Sequence, residues 1–161
     1  MKIGIIMGSD SDWPILKPAA DLIKEFGLET EIVVASAHRT PDKVQKFVAE
    51  APAKGIGVII AAAGAAAHLA GMIAGLTTIP VIGVPINATP LNGMDALLST
   101  VQMPSGIPVA TMAVNGAKNA AIFAVEIFAV ADDELKQKLI AYRKKLAEGV
   151  EKKAARVAAQ L

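Results

Sequence analysis

Cysteine is absent from this 161-residue chain, which excludes disulfides, thiolate catalysis and cysteine metal ligands. The absence suits a reducing compartment, and a cytoplasmic protein is the expectation. Net charge is nearly absent as well, with 16 basic and 15 acidic side chains leaving +1. That balance creates no field to draw nucleic acid or an anionic membrane. Neither is an expected partner, and any bound anion must be held by local groups. Histidine is scarce, limited to His38 and His68. Two imidazoles with no carboxylate at ligand spacing make a poor zinc site, so no metal is expected.

Charge is missing from the middle of the chain in particular. Between residues 55 and 117 the only formally charged residue is Asp95. A helix on a monomer's surface needs a polar side, yet 66–75 and 94–98 barely have one, and 117–131 offers only Lys118, Asn119 and Glu126. These helices are expected to be buried between subunits of an extensive homo-oligomer. The stretch 57–76 has the length of a membrane span and no charge. It opens on Val58-Ile59-Ile60 and then turns to alanine and glycine around His68, which suits a buried strand and a tightly packed helix better than lipid. The segment from Met1 to Gly8 has too short an apolar run and no cleavage site for a signal peptide, so it reads as a first strand.

The length fits one compact domain spanning 1–161. Apolar runs of strand length recur at 3–7, 31–35, 57–63, 81–85 and 109–114. Helix-compatible segments follow at 13–26, 41–54, 66–75, 94–100 and 117–131, and a long final helix at about 133–159. Continuous rather than alternating apolar strands belong to a parallel sheet covered on both faces. The expected fold is therefore α/β: a three-layer flavodoxin-like domain with a five-stranded parallel sheet and a long C-terminal helix. Leu135, Leu139, Tyr142, Leu146 and Val150 recur at helical spacing, which suits packing of that helix on a neighbouring subunit.

Ligands of such folds bind beyond the carboxyl ends of the strands, and polar residues gather there. Gly8-Ser9-Asp10-Ser11-Asp12 follows the first strand and precedes Trp13-Pro14. Free N–H groups at a helix start make an anion site. The same residues also serve simply as a cap. With one glycine the loop is neither a P-loop nor a dinucleotide fingerprint. After the second strand comes Ser36-Ala37-His38-Arg39-Thr40-Pro41, where Thr40-Pro41 is a cap and first-turn pair. His38 is suited to accept and return a proton, and Arg39 to clamp a phosphate through paired donors. The alternatives are an imidazole satisfied by a backbone carbonyl and a surface ion pair. His68 lies among alanines, where histidines are commonly satisfied core residues. The small side chains around it also admit a flat ligand. Asn87-Ala88-Thr89 follows the fourth strand.

Five ordered motifs carry a resemblance over nearly the whole chain. They are Met7-Gly8-Ser9-Asp10-Ser11-Asp12, Ser36-Ala37-His38-Arg39-Thr40-Pro41, Ala66-Ala67-His68-Leu69, Val81-Ile82-Gly83-Val84-Pro85, and Val101-Gln102-Met103-Pro104 with Gly106-Ile107-Pro108-Val109. The chain resembles the N5-carboxyaminoimidazole ribonucleotide mutases, the bacterial class of purine-synthesis carboxylases. The resemblance implies a flavodoxin-like octamer that needs no cofactor and acts on a small ribonucleotide. It implies His38 as general acid and base, with His68 in the same catalytic pocket. Ser9, Asp12 and Arg39 would bind the ribose phosphate, beside Gly8, Asp10, Ser36 and Ala37. Gly64, Ala65 and Ala66, with Leu69, would border the imidazole and the transferred carboxylate, and Met103-Pro104-Ser105-Gly106 would help to close the site. The family pattern leads us to expect Gly-Ala-Gly-Gly where this chain has Ala62-Ala63-Gly64-Ala65, and proline where it has Ala70. Ala67-His68-Leu69 sides with the mutases against the animal-type enzymes that take up CO2 directly. That direct carboxylase is the alternative reading, separated by dependence on bicarbonate. A flavin or receiver module would want a different first loop or an acidic residue near 61–63.

Overall fold

The computed structural model describes residues 1–160. It divides into two compact units, 1–124 and 125–161, of which the first carries the sheet. Five strands, β1 (Lys2–Met7), β2 (Glu29–Val34), β3 (Ile56–Gly64), β4 (Val81–Ile86) and β5 (Ala110–Thr111), pair in the order β2-β1-β3-β4-β5, all parallel. The α/β fold read from the sequence is borne out. Helices α1 (Trp13–Glu25), α2 (Pro41–Glu50), α3 (Leu69–Ala74) and α4 (Met94–Val101) connect the strands, and α5 (Ala117–Ala129) follows β5.

The pattern of burial explains the strands' composition. All six positions of β4 are buried, as are five of six in β1, so both faces are covered and apolar residues run on without alternation. At the β2 edge no residue is buried, and exposure alternates over 31–34 instead. The core joins Ile6, Ile59 and Ala61 of the sheet to Val44, Phe47 and Val48 of α2 and to Leu69 and Ile73 of α3.

Three boundaries differ from the sequence reading by three residues or more. The fifth strand was expected over 109–114 but is two residues long. The Gly83 carbonyl accepts the Met112 N–H at 2.9 Å. The next β4 residue facing that edge is Pro85, which has no N–H to offer, so the ladder stops. Helix α2 ends at Glu50, four residues early, because Pro52 supplies no N–H to continue it. Helix α3 begins at Leu69, three residues late. Ala65 takes a left-handed φ of +53°, and the Ala67 and His68 N–H groups donate two residues back, to Ala65 and Ala66 carbonyls at 2.9 and 2.8 Å. The stretch 57–76 is thus a strand and a short helix, and among the described residues no helix is long and apolar enough to cross a membrane.

The second unit comprises the later part of α5 and helix α6 (Asp133–Ala158). Asp132 caps α6, its side chain accepting the Leu135 N–H at 3.0 Å. Within this unit Arg143 Nη2 meets Glu126 Oε1 at 2.6 Å.

Candidate active site

A cavity of about 370 Å³ opens at the carboxyl ends of the strands and gathers the loops that follow β1, β2, β3 and β4. Of the residues singled out from the sequence, Gly8, Ser9, Asp12, Ser36, Ala37, His38, Arg39, Gly64, Ala65, Ala66, His68 and Leu69 line it. Asp10 does not. It is exposed, and its Oδ1 accepts the Ser9 hydroxyl at 3.2 Å. The Met103-Pro104-Ser105-Gly106 loop is not part of the lining either; the Met103 sulfur rests against Gly71 of α3. Ser11, Ala63 and Ala88 complete the wall. Ala88 was marked in the sequence only by its position after β4, since an alanine carries no chemical signal of its own.

The first loop folds onto itself as a single 3-10 turn, Asp10–Asp12. Ser9 Oγ accepts the Ser11 N–H at 3.3 Å, and Asp12 Oδ2 accepts the Ser9 N–H at 3.2 Å, a reciprocal capping box. Asp12 therefore does not cap α1, although it stands at the position to do so. Burial drives its pKa above the ordinary carboxylate value of 3.8, with the Asp10 charge adding to the rise and the Ser9 N–H opposing it.

The second loop is a tight turn held by hydroxyls. Ser36 Oγ accepts the N–H groups of His38 and Arg39 at 3.3 and 3.2 Å. Arg39 extends toward the first loop, its Nη2 3.5 Å from the Gly8 carbonyl. No carboxylate pairs with it among the described residues, so the surface ion pair considered for it does not form, and its guanidinium is available to an anion. His38 is exposed, and its Nε2 lies 3.0 Å from Nδ1 of His68, the rings meeting edge to face at 84°. The backbone-carbonyl alternative for His38 gives way to a contact between the chain's two histidines. His68 is exposed, not a core residue.

The third loop supplies a wall of small groups. Gly64 has no room for a side chain: a Cβ there would sit 2.6 Å from Ala88 Cβ and 3.1 Å from the Ile86 carbonyl oxygen. Two imidazoles thus share one cavity with a wall of small residues, an arginine and a serine-rich helix start. That arrangement can hold a phosphorylated, flat ligand with a proton donor and acceptor at its reacting edge. Among the described residues no three His, Cys, Asp or Glu side chains cluster closely enough to hold a metal ion.

Comparison with known proteins agrees with this layout. Residues 2–149 match the family model described as AIR carboxylase. The chain is 56% identical over 155 residues to an N5-carboxyaminoimidazole ribonucleotide mutase of Pyrococcus horikoshii, covering 96% of this chain and 88% of that protein. It is 51% identical to the protein of the same name from Thermotoga maritima, covering 97% and 91%. The crystal structure of Treponema denticola PurE superimposes with a TM-score of 0.86 at 31% identity over 94% of each chain. On these matches, and on the site they accompany, the chain belongs to the AIR carboxylase family.

Proposed function

We propose that this protein is an N5-carboxyaminoimidazole ribonucleotide mutase of purine synthesis, an isomerase that moves a carboxyl group from the exocyclic nitrogen of the substrate to its ring carbon. The observation that carries the reading is the convergence of His38, His68, Arg39 and the Ser9–Asp12 turn on one cavity. Two relatives of that name, each matching nearly the whole chain, support it.

In this reading Arg39, Ser9 and Asp12 bind the ribose phosphate, with Gly8, Ser36 and Ala37 beside them. Gly64, Ala65, Ala66 and Leu69 border the imidazole and the carboxylate. Protonated His38 gives its proton to the exocyclic nitrogen as the N–C bond to the carboxyl group breaks, releasing CO2. The ring carbon then attacks the trapped CO2, and neutral His38 removes that carbon's proton, restoring aromaticity and its own charge. One proton is lent and returned, and the reaction needs no external energy source. Confinement in a small-residue pocket keeps CO2 beside the carbon it must meet. His68 holds the edge of the His38 ring.

The chain acts as one catalytic domain, in the cytoplasm, as a homo-oligomer whose number we take to be eight. The oligomer is supported by the nearly charge-free middle of the sequence and by exposed apolar side chains, Leu91 in the turn before α4 and Met94, Leu98 and Val101 along one side of it. A monomer in sedimentation at micromolar concentration would remove that part of the reading.

The test is conversion of the N-carboxylated ribonucleotide to its carbon-carboxylated isomer without added bicarbonate. Turnover under those conditions supports the mutase. Turnover of the uncarboxylated ribonucleotide only when bicarbonate is supplied would replace it with a direct carboxylase.

A further inference from the structure

Thr40 occupies the N-cap position of α2, where a threonine hydroxyl ordinarily accepts an N–H from the first helical turn. Here it makes no such bond. Its Oγ1 turns back to Ser36, accepting the Ser36 N–H at 2.9 Å and donating to the Ser36 carbonyl at 3.2 Å. The Thr40 N–H donates to the same carbonyl at 3.0 Å. Ser36 is thus clasped on both sides of its backbone, which leaves its own Oγ to take the N–H groups of His38 and Arg39. The chain of bonds runs from one hydroxyl, outside the cavity lining, to the backbone of two side chains within it.

We propose that Thr40 is a positioning residue that holds the proton carrier and the phosphate clamp in register, an inference that rests on the mutase reading of the cavity. Thr40 is itself exposed, so apolar packing does little to fix the turn and the hydroxyl bonds carry that task. Its β-branched side chain has few χ1 choices, which keeps the hydroxyl aimed at Ser36. Because Ser36 Oγ anchors both His38 and Arg39, loosening the clasp should disturb proton transfer and phosphate binding together. A residue that only started the helix would affect neither.

The experiment compares Thr40→Val and Thr40→Ser with the native protein in steady-state kinetics, in ribose 5-phosphate binding by calorimetry, and in thermal unfolding. Loss of the hydroxyl in Thr40→Val is expected to lower kcat about tenfold and raise KM about threefold, and to weaken ribose 5-phosphate about threefold, the scale of one or two lost hydrogen bonds. Thr40→Ser should recover most of each loss. A Thr40→Val protein that melts earlier but keeps native kcat, KM and ribose 5-phosphate affinity would overturn the inference. If the native protein does not turn over the ribonucleotide, the mutase reading fails by itself; ribose 5-phosphate binding then decides, weakening in Thr40→Val upholding the clasp and unchanged affinity overturning it. Should Thr40→Val not fold, Thr40→Asn provides a side chain that prefers to cap the helix, and the same losses are expected of it.

Discussion

His38 Nε2 and His68 Nδ1 stand 3.0 Å apart across a gap of thirty positions in sequence, joining the loop after β2 to the loop after β3. A single proton lies between these nitrogens when both rings are neutral, so each ring constrains the tautomer of the other. His38→Asn is expected to lower kcat by about a hundredfold or more, the scale of general acid and base catalysis. His68→Leu keeps the proton carrier but frees its ring, and a loss of about tenfold is expected. Steady-state kinetics with unfolding midpoints measured alongside would separate the two effects. Equal losses in both variants would mean that His68 does more than orient its neighbour.

Gly64 and Gly83 are both closed to a methyl group, with different consequences. At Gly83 a Cβ would lie 2.5 Å from Thr100 Cγ2 and 2.9 Å from Val109 Cγ1, away from the cavity. Gly64→Ala and Gly83→Ala should each destabilise by about 1–3 kcal/mol through overpacking. Only Gly64→Ala should also raise KM in protein that remains folded, because Gly64 and the Ala88 it would displace both line the cavity. Denaturant unfolding and kinetics on the same preparations give the comparison.

Ala65 takes a left-handed conformation that costs an alanine about 1–2 kcal/mol. Glycine there escapes the cost but adds unfolded-state entropy worth about 0.4–1 kcal/mol. Ala65→Gly is therefore expected to stabilise by up to about 1.5 kcal/mol. A lower urea midpoint for the variant would show that the alanine methyl makes compensating contacts.

Asp12 has its folded pKa raised by burial, so the folded state holds the proton more tightly than the unfolded chain does. Between the ordinary value of 3.8 and the raised one, stability falls as pH rises, and the cost is complete above that window. Asp12→Asn should flatten this part of the stability curve while an amide oxygen still accepts the Ser9 N–H. Unfolding midpoints across pH 4 to 7 provide the check, and a variant with the native slope would assign the pH dependence to other groups.

Much of this was legible in the sequence. The strands announced themselves because both faces of β1 and β4 are buried, which leaves apolar runs with no interruption. Polar residues at the strand ends gave most of the cavity, since a parallel sheet must return its chain past the same edge. The fifth strand was overread, because an apolar stretch says nothing about whether its neighbour, here Pro85, can donate a hydrogen bond. Asp10 lies outside the lining because the four adjacent polar residues Ser9 to Asp12 cannot all face one cavity from a single turn. The meeting of His38 with His68 could not be read at all, since it depends on how far two loops project. Thr40 was read as a cap, its commonest use, whereas its hydroxyl serves the turn before it.

The bonds that shape the two polar loops, Ser9 with Ser11 and Asp12, and Ser36 with His38, Arg39 and Thr40, all join residues no more than four apart. Closing such short loops costs little chain entropy, and neither loop needs a distant partner to take its form. Each is in effect a cassette, carried by the sheet yet folded on its own account. Substitutions in the core can then vary without remaking the turns, and either turn should keep its shape if moved to another parallel sheet that places a strand and a helix at the same spacing.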